Sequence, residues 1–345
     1  MSERTDERRM SEPTVNVAVR AVGYTDIGQR SHNEDFFLVN EDIGLMMVAD
    51  GVGGHQAGEV ASALTCQVLE REVAAGASLA KGIKAANHEV FQAVVQELGR
   101  PGMATTVVAL LFDGSAWDLA WVGDSRAYLW DGQLGLLSRD HSLVANLMHS
   151  GQISLEESRI HPKKNVIDQA IGLQGEDTLR IGSNAGVLQP GQTLLLCSDG
   201  LNDVLDSAGI VEILAAKGSL EERCKALVMA AVAQGGRDNT TVVLLEALEG
   251  ESGYSEGVRP HFVWRYNPAD KSYSGLPALR SAPDRNAKNV APVVPEGTVM
   301  MKSPLASGAE LSDGGKRRVR RRRHLTMFGS VLGLAVVAAL IALWA

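Results

Sequence analysis

Apolar residues along this chain come in two spacings. Short apolar or alternating runs bounded by Gly, Asp or Asn predict strands at Val15 to Tyr24, Phe36 to Asn40, Leu45 to Asp50, Thr105 to Phe112, Ala116 to Val122, Arg126 to Trp130, Gln133 to Leu137, Thr193 to Cys197 and Thr240 to Leu245. Asp113-Gly114, Gly123-Asp124 and Asp131-Gly132 supply turns between them. Helical spacing predicts a helix from Glu59 to about Val73, with Val60, Leu64 and Val68 on one face and Gly76 as its stop. A second helix runs from Leu79 to about Leu98, ended by Gly99 and Pro101. Two more follow at Ala208 to Ala216 and Leu220 to Ala233. Residues 139–172 lose the strand pattern and hold a short helix near Leu143 to His149, then polar, loop-like sequence. Strands group as hairpins and helices as pairs, without strict strand–helix alternation. That predicts an α+β fold in which two antiparallel sheets pack together and are covered by helices. There is no internal repeat.

Beyond the last predicted strand the periodicity fades. Residues 249–315 are rich in Pro, Gly, Ser and Ala and read as a linker spanning roughly 45 Å if flexible. A cluster within it, His261 to Tyr266 (HFVWRY), is too aromatic for plain linker and is expected to pack on the domain, with binding to a partner as the alternative. Residues 316–324 form a basic cluster, and Leu325 to Ala345 carries no charge. Its 21 residues at ~1.5 Å each match the ~30 Å hydrocarbon thickness. A buried core helix is the alternative, and the linker ahead favours a single membrane span. The basic cluster beside it places the main domain on the cytoplasmic face of the inner membrane and gives it an attraction for anionic lipids. Residues 1–14 are a charged tail without the apolar core of a secretory signal.

The net charge is −8 although seven cations fall within residues 316–323, so the rest of the chain is more acidic still. Such a body is a poor fit for nucleic acid. Cys66, Cys197 and Cys224 form no CxxC pair and suit free thiols in a reducing compartment.

Candidate chemistry sits at the strand ends. Leu45 to Ala49 delivers Asp50-Gly51 into a glycine-rich loop, and Leu194 to Cys197 leads into Ser198-Asp199-Gly200. Asp124 follows Val122-Gly123, Asp238 precedes the run at Thr240, and Glu34 and Asp35 precede the run at Phe36. A buried carboxylate is costly without a cation or several donors. Several of them at strand ends point to an oxygen-rich site for hard divalent cations, Mn²⁺ or Mg²⁺.

RSHNED at Arg30 to Asp35, VADGVGGH at Val48 to His55, ATT at Ala104 to Thr106, VGDSR at Val122 to Arg126, CSDGL at Cys197 to Leu201 and GGRDNTTV at Gly235 to Val242 occur in one order and spacing. Together they resemble the bacterial metal-dependent Ser/Thr protein phosphatases (PPM, or type 2C) over residues 15–248. The resemblance implies a four-layer α-β-β-α sandwich with two or three metal ions between the sheets at one end. It implies that Asp50 bridges two ions, that Gly51 offers its carbonyl to the second, and that Asp199 and Asp238 serve the first. Asp124 with Asp199 resembles a third site, Glu34 a largely water-mediated contact to the second ion, and Arg30 the phosphate-binding arginine. Residues 139–172 stand where the family has its flap. Some eukaryotic relatives carry a histidine, proposed as general acid, where this chain has Val52; His55 nearby reads as structural.

Phosphoryl transfer asks a protein chiefly for positioning and charge neutralisation. The expected reaction is in-line attack on phosphoserine or phosphothreonine by a hydroxide bridging two ions that share Asp50, with the Arg30 fork on the phosphate oxygens. The implied partners are phosphorylated Ser/Thr proteins and a cognate Ser/Thr kinase. A membrane-anchored phosphoprotein-binding module and a phosphatase of small phosphate esters are the alternatives; the intact carboxylate set disfavours the first, and the residues leave the second open.

Overall fold

Thirteen strands and seven helices occur among the residues described by the computed structural model, which are 17–52, 57–96, 102–175, 177–248 and 262–274. The apolar run Leu45–Val52 (β3) pairs antiparallel with Asp35–Asn40 (β2) and with Val107–Asp113 (β5). Ala116–Val122 (β6) and Gly182–Val187 (β9) complete that sheet in the order β2-β3-β5-β6-β9, with Ala104–Thr105 (β4) beside β3. The second sheet joins Val19–Asp26 (β1), Thr240–Ala247 (β11), Thr193–Cys197 (β10), Arg126–Trp130 (β7) and Leu134–Leu136 (β8). Its far edge carries a further hairpin, Trp264–Asn267 (β12) and Ser272–Ser274 (β13).

Side-chain alternation along β3 explains the layering. Met46 and Val48 point into the interior between the sheets, where they meet Leu110, Leu119, Trp121, Leu129, Leu196 and Val243. Leu45, Met47 and Ala49 point the other way, onto the helices Ala57–Ala74 (α1) and Leu79–Val95 (α2). The outer face of the second sheet packs Leu195, Cys197, Val242 and Leu244 against Ser207–Ala215 (α6) and Leu220–Ala233 (α7). Each fully buried Leu or Val contributes roughly 1.5–3 kcal/mol. Central strands are therefore apolar on both faces, and the two sheets with their helices make the expected four layers.

The helix ends follow side-chain caps. Ser78 caps α2, Asp206 caps α6, and Ser219 with Glu222 forms a capping box on α7. Within residues 139–172 the expected helix is Leu143–His149 (α3), and a second helix, Leu155–Ile160 (α4), starts at a Ser154–Glu157 capping box. One turn, Asp199–Asn202 (α5), follows β10.

Two expectations change, and one strand is found where none was expected. Of the expected face of α1, Val68 is buried and Leu64 packs against the core, but Val60 is exposed; the helix lies on the sheet chiefly through Ala57, Gly58, Ala61, Ser62, Thr65, Cys66, Val68 and Leu69. Small residues let its backbone approach β3 closely. Strand β9 has no apolar alternation. Its Gly182 and Gly186 lie against the rings of Trp121 and Trp117, leaving no room for a side chain. The second change is that the sheet does not end at β11, because Phe262–Ser274, inside the segment expected as linker, adds β12 and β13 to the edge of β8.

The basic cluster and the expected span Leu325 to Ala345 lie outside the described residues, as does His55. No helix among the described residues is long and apolar enough to cross a membrane.

Candidate metal centre

Strand ends bring the predicted residues together at one end of the sandwich. Asp50 sits near the end of β3, and its backbone is fixed by hydroxyls. Its carbonyl accepts from Thr105 Oγ1 at 2.9 Å and the Thr106 amide at 2.8 Å, while its amide donates to Thr106 Oγ1 at 3.3 Å. Thr106 Oγ1 also pairs with Ser125 Oγ at 2.8 Å. The ATT and VGDSR motifs thus meet behind Asp50. At Gly51 the amide donates to the Glu34 carbonyl at 3.1 Å, and a Cβ would collide with the carbonyls of Gly58 and Glu34. Only glycine lets the end of β3, the start of α1 and the Glu34 loop converge.

The charges follow. Burial, then the negative charges of Asp35, Asp199, Asp238 and Asp124, pushes the Asp50 carboxyl well above the usual carboxylate range. Asp199 is raised by burial and by Asp124, Asp203, Asp238 and Asp35. Asp124 is pushed up to about 7 by burial and Asp140, against the pull of Arg126. Burial also raises Glu34, and Arg30 opposes it. These carboxylates sense one another, as a shared site requires.

Arg30 pairs with Asp238, Nη2 to Oδ2 at 2.6 Å, and both groups are about one-third exposed. Its buried Nε has no hydrogen-bond partner. The side chain is nonetheless about one-third exposed, so guanidinium N–H groups remain open to an anion from solvent. The pair also places the arginine beside a candidate metal ligand.

Asp35 plays a different part from its neighbour Glu34. It lies opposite Asp50 in the β2–β3 register and is buried. Its Oδ2 accepts from Ser198 Oγ at 2.8 Å and Thr241 Oγ1 at 2.6 Å, so a carboxyl from one sheet is tied to β11 and to the residue that follows β10 in the other. Burial outweighs these hydroxyls and pushes it up to about 6.

Sequence reasoning missed Asn239 inside the GGRDNTTV motif. Its Oδ1 accepts from the Glu34 amide at 2.8 Å, and its Nδ2 donates to the carbonyls of Ile27 at 2.9 Å and His32 at 3.0 Å. This one side chain fixes the loop that carries Arg30 and Glu34. It also missed Arg126, whose fork holds Asp140 with contacts of 2.7 to 3.2 Å just after Asp124. Polar residues at strand ends were the available signal; their partners are distant in sequence.

The donor set is all oxygen, which suits Mn²⁺ or Mg²⁺. Among the described residues no group of three or more acidic, histidine or cysteine side chains is drawn close enough to hold a metal ion by itself. A hard cation that keeps several waters and takes one or two carboxylates needs none. Clustered half-buried carboxylates, several with raised proton affinity, and the narrow Gly51 approach fit such ions.

Residues 22–232 match the family model described as protein phosphatase 2C. The chain belongs to the protein phosphatase 2C family. That membership makes it a protein phosphatase. It is 38% identical over 237 residues to the serine/threonine phosphatase stp of Listeria monocytogenes, covering 64% of this chain and 93% of that protein. With the serine/threonine protein phosphatase PstP of Mycobacterium tuberculosis it shares 35% over 253 residues, 71% of this chain and 48% of the relative. The crystal structure of the Mycobacterium tuberculosis phosphatase PstP/Ppp superposes with a TM-score of 0.61 at 33% identity, over 67% of this chain and 99% of that one. The PstP catalytic domain in complex with two manganese ions superposes with a TM-score of 0.60 at 32% identity, over 67% and 99%.

Proposed function

We propose that this chain is a metal-dependent phosphatase of phosphoserine and phosphothreonine in proteins, held at the cytoplasmic face of a membrane. The observation that carries the catalytic reading is the convergence of Asp50, Asp124, Asp199 and Asp238, whose mutual repulsion calls for cations. Asp50, the Gly51 carbonyl, Asp199 and Asp238 would hold two divalent cations, Glu34 would act through water, and Asp124 with Asp199 would hold a third. Bound cations neutralise phosphate charge and lower the pKa of water toward neutrality. The residues of the chain do the rest. Arg30, about one-third exposed, offers its guanidinium N–H groups to phosphate oxygens and orients the ester. Asp35, Ser198 and Thr241 lock the two sheets so that Asp50 and Asp199 keep their separation. Val52 cannot protonate a leaving alkoxide, so another donor has to supply that proton, and water is the candidate.

Proteins rather than small esters are favoured by the names of the relatives, serine/threonine phosphatases. A kinase acting on the same substrates is the implied partner. The tether rests on the uncharged run Leu325 to Ala345 and the basic cluster before it.

The test compares Mn²⁺-dependent phosphate release from a phosphothreonine peptide and from a free phosphorylated metabolite. Faster turnover of the peptide supports the reading. Release from the metabolite alone would turn it to small esters, and release from neither would leave a binding module.

A further inference from the structure

The hairpin Trp264–Ser274 lies beyond the residues that match the family model, and it is built into the fold. Trp264 and Tyr266 are buried, and Trp264 pairs with Leu136 of β8. Arg265 grips Asp131 with both Nη atoms, at 2.7 and 2.6 Å. On the other side of the sheet, Tyr273 shares a hydrogen bond of 2.9 Å with Ser207 at the start of α6.

Two residues before the hairpin, the chain reaches further. Phe262 meets the Trp121 ring edge-on, with centroids 6.1 Å apart at 78°, and leans on Trp264 at 4.7 Å. Its carbonyl accepts from Asn184 Nδ2 at 2.9 Å, and the same nitrogen donates to the Leu137 carbonyl at 3.0 Å, where the chain enters the flap. Trp121 in turn donates Nε1 to the Arg139 carbonyl at 2.7 Å and stacks on the imidazole of His141, 6.3 Å away.

His141 is the knot. Its amide donates to the Gly123 carbonyl at 2.8 Å, and its Nδ1 accepts from the Gly123 amide at 3.3 Å. Its carbonyl accepts from the Asp168 amide at 2.9 Å, so both ends of the flap meet there. Gly123 adopts a φ of +106° and has Thr106 against it, so the turn that presents Asp124 tolerates no other residue.

We infer that Phe262 is a positioning residue: acting through Trp121 and His141, it holds the Gly123–Asp124 turn and both ends of the flap. The alternative is that Phe262 only covers apolar surface at the sheet edge. An edge-to-face ring pair is directional and a covering contact is not, so the two readings separate.

The experiment uses full-length protein in detergent, with Phe262→Ala, Phe262→Leu and Phe262→Tyr. Leu keeps the apolar cover without the ring, and Tyr keeps the ring. Metal-free hydrogen exchange is read for residues 121–126, 139–149, 166–170, the hairpin and, as a remote control, β1 with β11. The Mn²⁺ concentration giving half-maximal phosphate release is read alongside. Phe262→Ala and Phe262→Leu should speed exchange at the turn and at both flap ends by about fivefold, the size of one lost ring pair, with β1 and β11 unchanged. Both should raise the Mn²⁺ requirement by a similar factor, and Phe262→Tyr should behave as wild type. Faster exchange confined to the hairpin, a uniform rise across all elements, or Phe262→Leu matching wild type would each overturn the inference. The Mn²⁺ readout rests on the metal reading of Asp124. The exchange readout does not, so a changed exchange pattern with an unchanged Mn²⁺ requirement would uphold the positioning and count against the metal assignment.

Discussion

Asn239→Ala should loosen the loop that presents Arg30 and Glu34. The side chain is 4% exposed and makes three hydrogen bonds, all to backbone of residues 27–34. Its loss leaves the Glu34 amide and the carbonyls of Ile27 and His32 without their partner. At ~1 kcal/mol net for each neutral hydrogen bond the cost is about 3 kcal/mol, less if water enters and more if the groups stay dry. Asn239→Asp is the sharper control. It keeps an acceptor for the Glu34 amide but faces two carbonyls with oxygen and adds charge to an acidic cluster, so it should cost at least as much. Chemical unfolding of the detergent-solubilised protein gives the stability change, and steady-state kinetics on a phosphothreonine peptide gives KM. A loss of about 2–4 kcal/mol with a raised KM is expected. A loss below about 0.5 kcal/mol, within the usual range of surface substitutions, together with wild-type KM would refute the reasoning.

Arg30→Ala should raise KM for the peptide about 10- to 100-fold, the worth of one charge-assisted contact, with Mn²⁺ stoichiometry unchanged by calorimetry; loss of an ion with unchanged KM would show that Arg30 serves Asp238 rather than phosphate. Burial holds the His141 imidazole down at about 4, so between roughly pH 6.5 and 4 the unfolded chain takes up a proton that the folded chain refuses. Its contribution to stability is whole above that window and falls as the pH drops through it, by at most about 3 kcal/mol. His141→Asn keeps an acceptor for the Gly123 amide and should flatten that part of the acid slope; identical slopes in the two proteins would contradict the buried neutral imidazole. Deleting residues 316–345 should release the protein from membranes with turnover intact, and a truncated protein that still sediments with them would remove the anchor.

The sequence carries the centre of this fold in plain form. The β2–β3 hairpin, the Asp50-Gly51 end of β3 and the Ser198-Asp199 end of β10 are legible because a glycine-bounded apolar run that stops at a carboxylate has few other uses. Helices α2 and α7 are legible to within a few residues: expected at Leu79 to about Leu98 and at Leu220 to Ala233, they run Leu79–Val95 and Leu220–Ala233. What escapes depends on partners far away in the chain. Gly182 and Gly186 read as loop until the rings of Trp121 and Trp117 occupy the space beside them. The small residues of α1 look weakly amphipathic, yet they set its distance from β3. The aromatic cluster after the last predicted strand is visible, but its partner strand, β8, lies more than a hundred residues earlier. In the candidate site the charged residues announce themselves. Asn239, Ser198, Thr241 and Thr106, which hold them, are common polar residues whose roles appear only once the two sheets meet.

The central claim is that the Asp50 cluster works by holding divalent cations. Its most direct measurement is a calorimetric Mn²⁺ titration of wild type and Asp50→Asn, with phosphate release followed on the same samples. The account predicts that wild type binds at least two ions, and that the variant loses the pair sharing Asp50. Turnover should fall by about 10³-fold or more while the far-ultraviolet spectrum stays native, as expected when several kcal/mol of transition-state stabilisation are lost. Wild-type kcat in Asp50→Asn at saturating Mn²⁺, or unchanged ion stoichiometry in that variant, would contradict it.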